Sequence, residues 1–382
     1  MNKLIKNLIC TLLVTFIAVV TVNAGPVPIP KAPMINAKSY ILLDHDTGTV
    51  ISEKNADERN DPASITKLMT AYVVYKVLSE GSLQLTDEVL ISEKAWRAIG
   101  SRMFVEVGKR VKVDELLQGL IVQSGNDASI ALAEHIAGSE EAFAGMMNIE
   151  ASRLGMVSSH FTNVTGLTHD QHFMTARDIS TLSSAIIRDF PEQYKRYSQK
   201  EFTYNEITQS NRNKLLWRDP SVDGLKTGHT DAAKYCLASS AKRDDMRLVS
   251  VVLGAPSADA RATYSQALFN YGFRFYESHK LYSAGQELLK KRAWYGAQKE
   301  VSLGIQEDIT ITLPRGRYND LKPYMQVVSQ LEAPIALHQS VGKVIINLDD
   351  EKFTEVELVA LEAIEEGGIM QQISDYVMSY FE

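Results

Sequence analysis

Apolar and polar residues change their spacing along the chain, and these changes predict its elements. Residues 39–43 and 49–53 alternate apolar with polar side chains on either side of the polar turn 44–48, which predicts a β-hairpin. Pro62 suits the first turn of a helix, where its missing N–H costs nothing. Apolar residues then recur at helical spacing and predict a buried helix: Leu68, Ala71, Tyr72, Tyr75 and Leu78.

The pattern becomes sheet-like after Val222. Three short runs predict strands at 224–229, 235–241 and 246–254, the last two joined by a polar turn. Residues 261–276 return to helical spacing and predict a helix that packs back on this sheet. Earlier in the chain, an apolar run at 116–124 leads into a turn, and 127–137 continues as a helix.

A second composition begins near Leu281. Short alternating runs predict a separate β-rich domain with strands at 300–305, 308–314, 325–331, 341–348 and 353–359. This domain carries no catalytic constellation, so we interpret it as a spacer or interaction module. After Gly367 and Gly368 the tail predicts a helix with one apolar face, formed by Ile369, Ile373, Val377 and Tyr380.

The first residues have the pattern of an export signal. Lys3 and Lys6 precede an apolar run at 8–20, and Val22-Asn23-Ala24 forms a cleavage site. An uncleaved anchor is the alternative, but the run is short for a membrane span. The predicted divisions are a signal peptide at 1–24, a catalytic domain at 34–278, the β-rich domain at 281–366 and the tail at 367–382.

Charge and cysteine content narrow the function classes. The 382-residue chain has a formal net charge of −7, and loss of the two signal lysines takes it to −9. Basic runs interleaved with aromatics are absent from the sequence, so nucleic acid is not an expected partner. Cys236 is the single cysteine after the signal, which excludes an intramolecular disulfide, and we interpret it as an inert buried thiol.

Three histidines, His160, His169 and His172, lie close together in the sequence. They have no acidic or cysteine partner at ligand spacing, and such a pattern is more typical of a loop than of a metal site. We therefore predict no metal and no cofactor.

The chemistry centres on Ser64 and Lys67, one helical turn apart at the start of the first helix. Residues at i and i+3 share a helix face, so the serine Oγ and the lysine Nζ can meet. A serine hydroxyl needs a base at neutral pH, and a lysine can act as one when burial or a neighbouring cation keeps it neutral. Ser-x-x-Lys also arises by chance, and the chain holds two more, beginning at Ser239 and Ser340.

The order of the motifs along the chain distinguishes this serine and lysine from the two other Ser-x-x-Lys sequences. Ser124-Gly125-Asn126 follows Ser64 and Lys67, and Lys226-Thr227-Gly228 comes later, each a single occurrence of its motif. The ordered set resembles the penicillin-recognising serine enzymes. More closely, from about Ile35 to the C-terminus, the chain is similar to low-molecular-mass penicillin-binding proteins of the serine D-alanyl-D-alanine carboxypeptidase type, peptidase S11.

This resemblance implies a fold and an activity. The fold is α+β, with a penicillin-binding, serine β-lactamase-like domain of helices around one antiparallel sheet, followed by the small β-rich domain. The activity is removal of the terminal D-alanine from peptidoglycan stem peptides ending in D-Ala-D-Ala, through an acyl-enzyme that penicillins and other β-lactams also form.

The resemblance also implies roles for individual residues. Ser64 is the nucleophile, Lys67 its base and Ser124 a proton relay toward the leaving amine. The substrate is held by the remaining positions, Asn126, Lys226, Thr227, Gly228, His229, Arg261 and, as a second candidate, Arg212. Thr227 and an arginine hold the terminal carboxylate, and the backbone N–H groups of Ser64 and His229 form the oxyanion hole.

By the same resemblance the protein is exported to the periplasm, and its tail lies on the outer face of the inner membrane. Here the tail departs from the usual pattern, because lysine and arginine are absent after Lys352. Attachment must then rest on apolar burial alone, and a self-association helix is the alternative.

Two other functions use the same motifs. A class A β-lactamase would need a glutamate in a Glu-x-x-Leu-Asn stretch, and Glu150 is instead followed by Ala-Ser-Arg-Leu. A catalytically inactive peptidoglycan-binding protein would keep the fold without turnover. The balance between carboxypeptidase, endopeptidase and transpeptidase activity is left open by the sequence.

Overall fold

The structure is a computed structural model that describes residues 29–379. The predicted signal peptide and Tyr380 lie outside the described residues. The first domain contains nine strands and nine α-helices within this range. The strands are β1 (Ser39–Asp44), β2 (Val50–Lys54), β3 (Glu88–Leu90), β4 (Arg110–Lys112), β5 (Glu201–Tyr204), β6 (Ile207–Ser210), β7 (Val222–Thr230), β8 (Lys234–Arg243) and β9 (Met246–Ala255). The helices are α1 (Lys67–Ser79), α2 (Glu93–Trp96), α3 (Val113–Gln118), α4 (Asn126–Ala137), α5 (Glu140–Arg153), α6 (Ala176–Asp189), α7 (Pro191–Tyr194), α8 (Leu215–Arg218) and α9 (Ala258–Phe275).

One five-stranded antiparallel sheet organises this domain, in the order β2-β1-β9-β8-β7. The strands β1, β7, β8 and β9 are largely buried on both faces because their alternate side chains enter two different cores, whereas the edge strand β2 is more exposed. Ile41 packs in the core that contains α1 and α4, whereas its neighbour Leu42 packs against α9. The predicted arrangement of helices around one antiparallel sheet is therefore confirmed. The strand β7 lies at the edge of the sheet, with one side unpaired within it.

Two local features differ from the sequence prediction. The first helix begins with a 3₁₀ turn, Ala63–Thr66, before α1 starts at Lys67. The apolar run predicted at 116–124 is divided between α3 and a π-helical turn, Gly119–Gln123, which ends at Ser124 in the left-handed conformation. Apolar periodicity does not distinguish these helix types, since all of them bury one side.

The second domain is β-rich, as predicted. Its elements are β10 (Tyr276–Tyr282), β11 (Glu287–Trp294), β12 (Glu300–Gly304), β13 (Ile309–Pro314), β14 (Leu321–Val327), β15 (Leu331–Glu332), β16 (Ser340–Leu348), β17 (Glu351–Ala360) and α10 (Ile369–Met378). The prediction missed β10, β11 and β15. Six strands form one sheet in the order β14-β16-β17-β12-β11-β15, while β10 pairs with β13.

The two domains meet at the β1–β2 turn. Thr47 Oγ1 lies 2.6 Å from Thr312 Oγ1, and Ser278 Oγ donates to Asp44 Oδ2 at 2.5 Å. Across residues 29–379, none of the helices has the length and apolarity needed to cross a membrane.

Candidate active site

The nucleophile candidate lies in the 3₁₀ turn, and its base candidate is the first residue of α1. Lys67 Nζ donates to Ser64 Oγ at 3.1 Å, to Asn126 Oδ1 at 2.7 Å and to the Thr165 carbonyl at 2.7 Å. A neutral amine has two N–H groups and one lone pair. When Lys67 is neutral and its two N–H groups keep the two shorter contacts, its lone pair faces Ser64. The Ser64 hydroxyl is then the donor in the third contact.

Burial makes the neutral amine accessible near neutral pH. Lys67 is 0% exposed, and this burial, with the positive charge of Arg212 as a smaller cause, lowers the pKa of Lys67 to about 7. Asp127 acts in the opposite direction. Its carboxylate hydrogen-bonds backbone N–H groups of residues 103–105 instead of the lysine.

The serine of the second motif has an unused hydroxyl. Ser124 has a left-handed backbone (φ 67°) and is 2% exposed. Its Oγ is buried without a hydrogen-bond partner among the described residues, and the side chain lines the cleft. A buried hydroxyl without a partner costs free energy, so this Oγ favours a ligand that can bond to it.

Asn126 connects three parts of the site. Its Oδ1 accepts from Lys67, while Nδ2 donates to the Ile99 carbonyl at 2.6 Å. The second N–H of Nδ2 remains for a substrate carbonyl. Asn126 therefore orients the base, while its predicted role in holding the substrate amide would use this remaining N–H.

Two glycines allow the backbone to close around the nucleophile turn. A Cβ on Gly228 would lie 2.8 Å from the Pro62 carbonyl, so glycine lets β7 approach the turn. On the other side, a Cβ on Gly166 would lie 1.8 Å from the Ala63 carbonyl, and the φ of +82° also favours glycine. Packing of β7 against the nucleophile turn therefore requires glycine at the third position of the Lys-Thr-Gly motif.

Lys226 is a buried residue of β7, and its Nζ donates to the Thr227 carbonyl at 3.2 Å. Burial lowers its pKa well below the usual range, and the charges of Lys67, Arg212 and Arg261 lower it further. An anion in the cleft would relieve this repulsion and favour protonated Lys226.

The two arginine candidates differ in how their side chains are used. Arg261 is 6% exposed, and its Nη1 donates to the carbonyls of Gly228 at 3.0 Å and Cys236 at 3.3 Å. Arg212 lines the cleft, and within residues 29–379 its guanidinium has no hydrogen-bond or salt-bridge partner. Arg261 therefore supports the β7 and β8 backbones, while Arg212 is available to an anion.

His229 is exposed at the end of β7, and its ring packs on Tyr235 with centroids 4.2 Å apart.

His172, one of the three histidines that lie close together in the sequence, hydrogen-bonds to protein groups on both ring nitrogens. Its Nδ1 accepts from the Thr162 N–H at 3.1 Å, so its Nε2 carries the proton toward Thr66 Oγ1 at 2.8 Å. His172 thereby braces the turn that holds the nucleophile, and burial lowers its pKa to about 4.

The cleft has a volume of about 720 Å³. Among the described residues that line it, four are cationic and none is an aspartate or glutamate: Arg102, Arg212, Lys214 and Arg261 are the cations. Glu150 is instead paired with Lys76 and Arg153. In the part of the chain that the structure describes, no group of histidine, cysteine and acidic residues could hold a metal ion.

The structure brings the three motifs to one cleft. Lys67 is buried and contacts Ser64 and Asn126, and Lys226 is buried and adjoins Thr227 in β7. Six of the candidates line the cleft together with Ser64 and Ser124, namely Asn126, Arg212, Thr227, Gly228, His229 and Arg261. Sequence reasoning missed the Thr165 carbonyl, because a backbone acceptor leaves no residue signal. It also missed Arg102 and Phe104, which reach the cleft through the fold of an irregular loop.

Comparison with known proteins agrees with this geometry. A family model described as D-alanyl-D-alanine carboxypeptidase, peptidase S11, matches residues 27–257. A second, described as the penicillin-binding protein 5 C-terminal domain, matches residues 276–366. The carboxypeptidase DacA of Escherichia coli K12 is 43% identical over 362 residues, covering 92% of this chain and 90% of that protein.

Solved structures show the same relationship. Penicillin binding protein 5 from Haemophilus influenzae is 40% identical with a TM-score of 0.85, covering 88% of this chain and 100% of that chain. Penicillin-binding protein D2 from Listeria monocytogenes, solved in its ampicillin-bound form, is 29% identical with a TM-score of 0.59, covering 64% of this chain and 100% of that one. By family model, sequence identity and structure, the chain belongs to the peptidase S11 family of D-alanyl-D-alanine carboxypeptidases.

Proposed function

We propose that this protein is a serine D-alanyl-D-alanine carboxypeptidase that removes the terminal D-alanine from peptidoglycan stem peptides. The observation that carries the proposal is the contact between the buried Lys67 Nζ and Ser64 Oγ, at 3.1 Å. In this contact a base of suitable pKa meets a nucleophile at the floor of an open cleft.

Acylation begins when Ser64 Oγ attacks the carbonyl of the penultimate D-alanine and its proton passes to Lys67 Nζ. Negative charge develops on the carbonyl oxygen, where the backbone N–H groups of Ser64 and His229 are the expected donors. The C–N bond then breaks, and Ser124 Oγ relays a proton to the departing amine. Water hydrolyses the ester on Ser64 and releases the shortened peptide.

The terminal carboxylate of the substrate selects the cationic side of the cleft. We assign direct binding of this carboxylate to the Arg212 guanidinium and the Thr227 hydroxyl, while Lys226, buried beside Thr227 in β7, adds positive charge. Arg261 contributes by holding the backbone of Gly228. The edge of β7 that is unpaired within the sheet gives the peptide backbone a strand to pair with.

Penicillins and other β-lactams carry the same carboxylate beside a reactive amide, so they are proposed to acylate Ser64 as well. The described lining of the cleft offers no carboxylate that could activate water, which separates this site from a class A β-lactamase. We therefore expect a long-lived adduct.

An intact-mass time course with excess benzylpenicillin, together with D-alanine release from a D-Ala-D-Ala peptide, tests the activity. We expect one adduct on Ser64 that persists for minutes, with D-alanine release by the free enzyme. Ser64→Ala should lose both. Ser340→Ala, at another Ser-x-x-Lys sequence in the second domain, is the matched control and should keep both.

Each other outcome removes a specific part of the proposal. Rapid penicillin loss without an adduct would make the protein a β-lactamase. Neither adduct nor loss would make it an inactive binding protein, and D-alanine release by Ser64→Ala would exclude Ser64 as the nucleophile.

We also propose that the protein is exported and attached to the outer face of the inner membrane through α10. Ile369, Ile373 and Val377 are 78%, 56% and 52% exposed on one side of this helix. With lysine and arginine absent after Lys352, binding should need no anionic lipid and should vary little with salt.

Flotation with zwitterionic vesicles tests this attachment. Ile373→Asp should release the protein from the vesicles, whereas Gln372→Asp, the same charge on the adjacent residue, should release far less. Unchanged flotation after deletion of residues 369–382 would remove the idea.

A further inference from the structure

The helix α10 is attached to the second domain along one side only. Asp375 is 1% exposed although its neighbours in the helix are largely exposed. At about 100° of rotation per residue, Gln371 and Asp375 lie on the side opposite Ile369 and Ile373. The exposed apolar face and the buried carboxylate therefore point in opposite directions.

The Asp375 carboxylate is fully used by the domain beneath it. Oδ1 accepts from Arg292 Nη2 at 2.8 Å, and Oδ2 accepts from the Tyr295 N–H at 2.9 Å and from Gln371 Nε2 at 3.1 Å. The Arg292 guanidinium lies over the ring of Trp294, 3.7 Å from its centroid, so the cation is itself held in place. These contacts lower the pKa of Asp375 although its burial acts in the opposite direction.

The segment that leads into the helix is also fixed. The Gly367 N–H donates to the Tyr295 carbonyl at 2.7 Å, and Glu366 forms a β-bridge with Gly296. A Cβ on Gly367 would lie 2.8 Å from the Gly296 carbonyl, so this close approach needs glycine. The segment is therefore hydrogen-bonded to the domain, unlike a flexible linker.

We infer that the Asp375–Arg292 pair docks α10 on the second domain, so that the helix and the domain form one rigid unit with the apolar face directed outward. A freely tethered amphipathic helix would leave the Asp375 carboxylate in water on its polar side, whereas here the domain buries this carboxylate and hydrogen-bonds it. The consequence at a membrane rests on the attachment proposed above. A docked helix would hold the catalytic cleft in one orientation relative to the bilayer.

Hydrogen exchange of the full mature chain, measured by mass spectrometry without lipid, tests the docking. Asp375→Ala and Arg292→Gln should each speed amide exchange in residues 369–378 by about tenfold or more, since each removes the pair that joins the helix to the domain, and Asp375→Ala also leaves the Tyr295 N–H without its acceptor. Ser374→Ala, an exposed position in the same helix, is the matched control and should exchange like the wild type. Penicillin acylation of Ser64 should be unchanged in all three variants, which shows that they are folded.

Equal exchange of residues 369–378 in the wild type and Asp375→Ala would overturn the inference. Flotation of the same proteins with zwitterionic vesicles keeps the two proposals apart. If the wild type is protected in solution but does not float, docking stands and membrane attachment fails. If the wild type floats but its tail is unprotected in solution, attachment stands and docking fails.

Discussion

The acylation rate of Ser64 should follow the protonation of Lys67. Burial and the charge of Arg212 lower the pKa of Lys67 from 10.5 to about 7. At pH 7 the neutral fraction is then about one half, against about one in three thousand for an ordinary lysine. This shift of the pKa corresponds to a free-energy difference of about 5 kcal/mol between the two protonation states.

Fluorescent penicillin, with the second-order acylation rate measured from pH 5 to 9, provides the assay. The rate should rise about tenfold per pH unit below pH 7 and level off above it, so that it changes roughly 90-fold between pH 5 and pH 8. The free energy of unfolding should also rise with pH because of Lys67. A folded pKa below the unfolded value penalises folding under acidic conditions, and the penalty decreases as pH rises from 7 to 10.5.

Removing one charge provides a second test of the same reasoning. Arg212→Gln should move the inflection to higher pH, because the arginine charge lowers the pKa of Lys67. Lys214→Gln removes a charge from the same cleft, but Lys214 is paired with Asp259 at 3.0 Å, and the inflection should stay in place. A wild-type rate that is flat between pH 5 and 8 would refute the assignment of Lys67 as the base.

Other predictions concern the support of the nucleophile turn. Gly166→Ala should destabilise the fold by about 3 kcal/mol in urea unfolding, because its Cβ would overlap the Ala63 carbonyl, whereas Gly145→Ala in α5 meets no atom within 4 Å and should be neutral or stabilising. Similar unfolding midpoints for these two variants would contradict the packing argument. His172 should make the protein acid-sensitive: its pKa falls from 6.5 to about 4 on folding, so about 3 kcal/mol of stability is lost as pH falls through this range. His172→Gln should flatten that part of the stability profile, and an unchanged pH dependence would exclude the histidine as its source.

The sequence predicted the parts of this molecule that repeat or that carry side-chain chemistry. Alternation around residues 44–48 predicted the β1–β2 hairpin, and the ordered motifs identified Ser64, Lys67 and Asn126, which the structure places in contact. Helical spacing also placed Ile369, Ile373 and Val377 on one face of the tail. In each case a local rule, period or spacing, is sufficient.

Features that depend on tertiary contacts were not predictable in this way. The Thr165 carbonyl fixes Lys67 only because the chain returns to α1 nearly a hundred residues later, and a carbonyl has the same chemistry in every residue. The pattern 116–124 gave no sign that a π-helical turn would place Ser124 in a left-handed conformation. Aspartate is a hydrophilic residue, so the sequence alone indicates an exposed position for Asp375. Its burial follows from its contact with Arg292, which lies on a strand that the sequence prediction missed.

The positive charge of the cleft explains why a peptide and a penicillin would have different outcomes. The described lining of the cleft contains no carboxylate, and Arg212 has no salt-bridge partner within residues 29–379, so a ligand's carboxylate can supply its counter-ion. When a peptide is cleaved, that carboxylate leaves with D-alanine, and the cleft reopens to the water that must hydrolyse the ester. Penicillin is cyclic, so its amine and its carboxylate stay attached to the acyl group after the amide opens. In the proposed binding mode the carboxylate then remains beside Arg212 and Thr227, and the cleft stays occupied. This difference predicts a persistent penicillin adduct from the same residues that turn over a peptide.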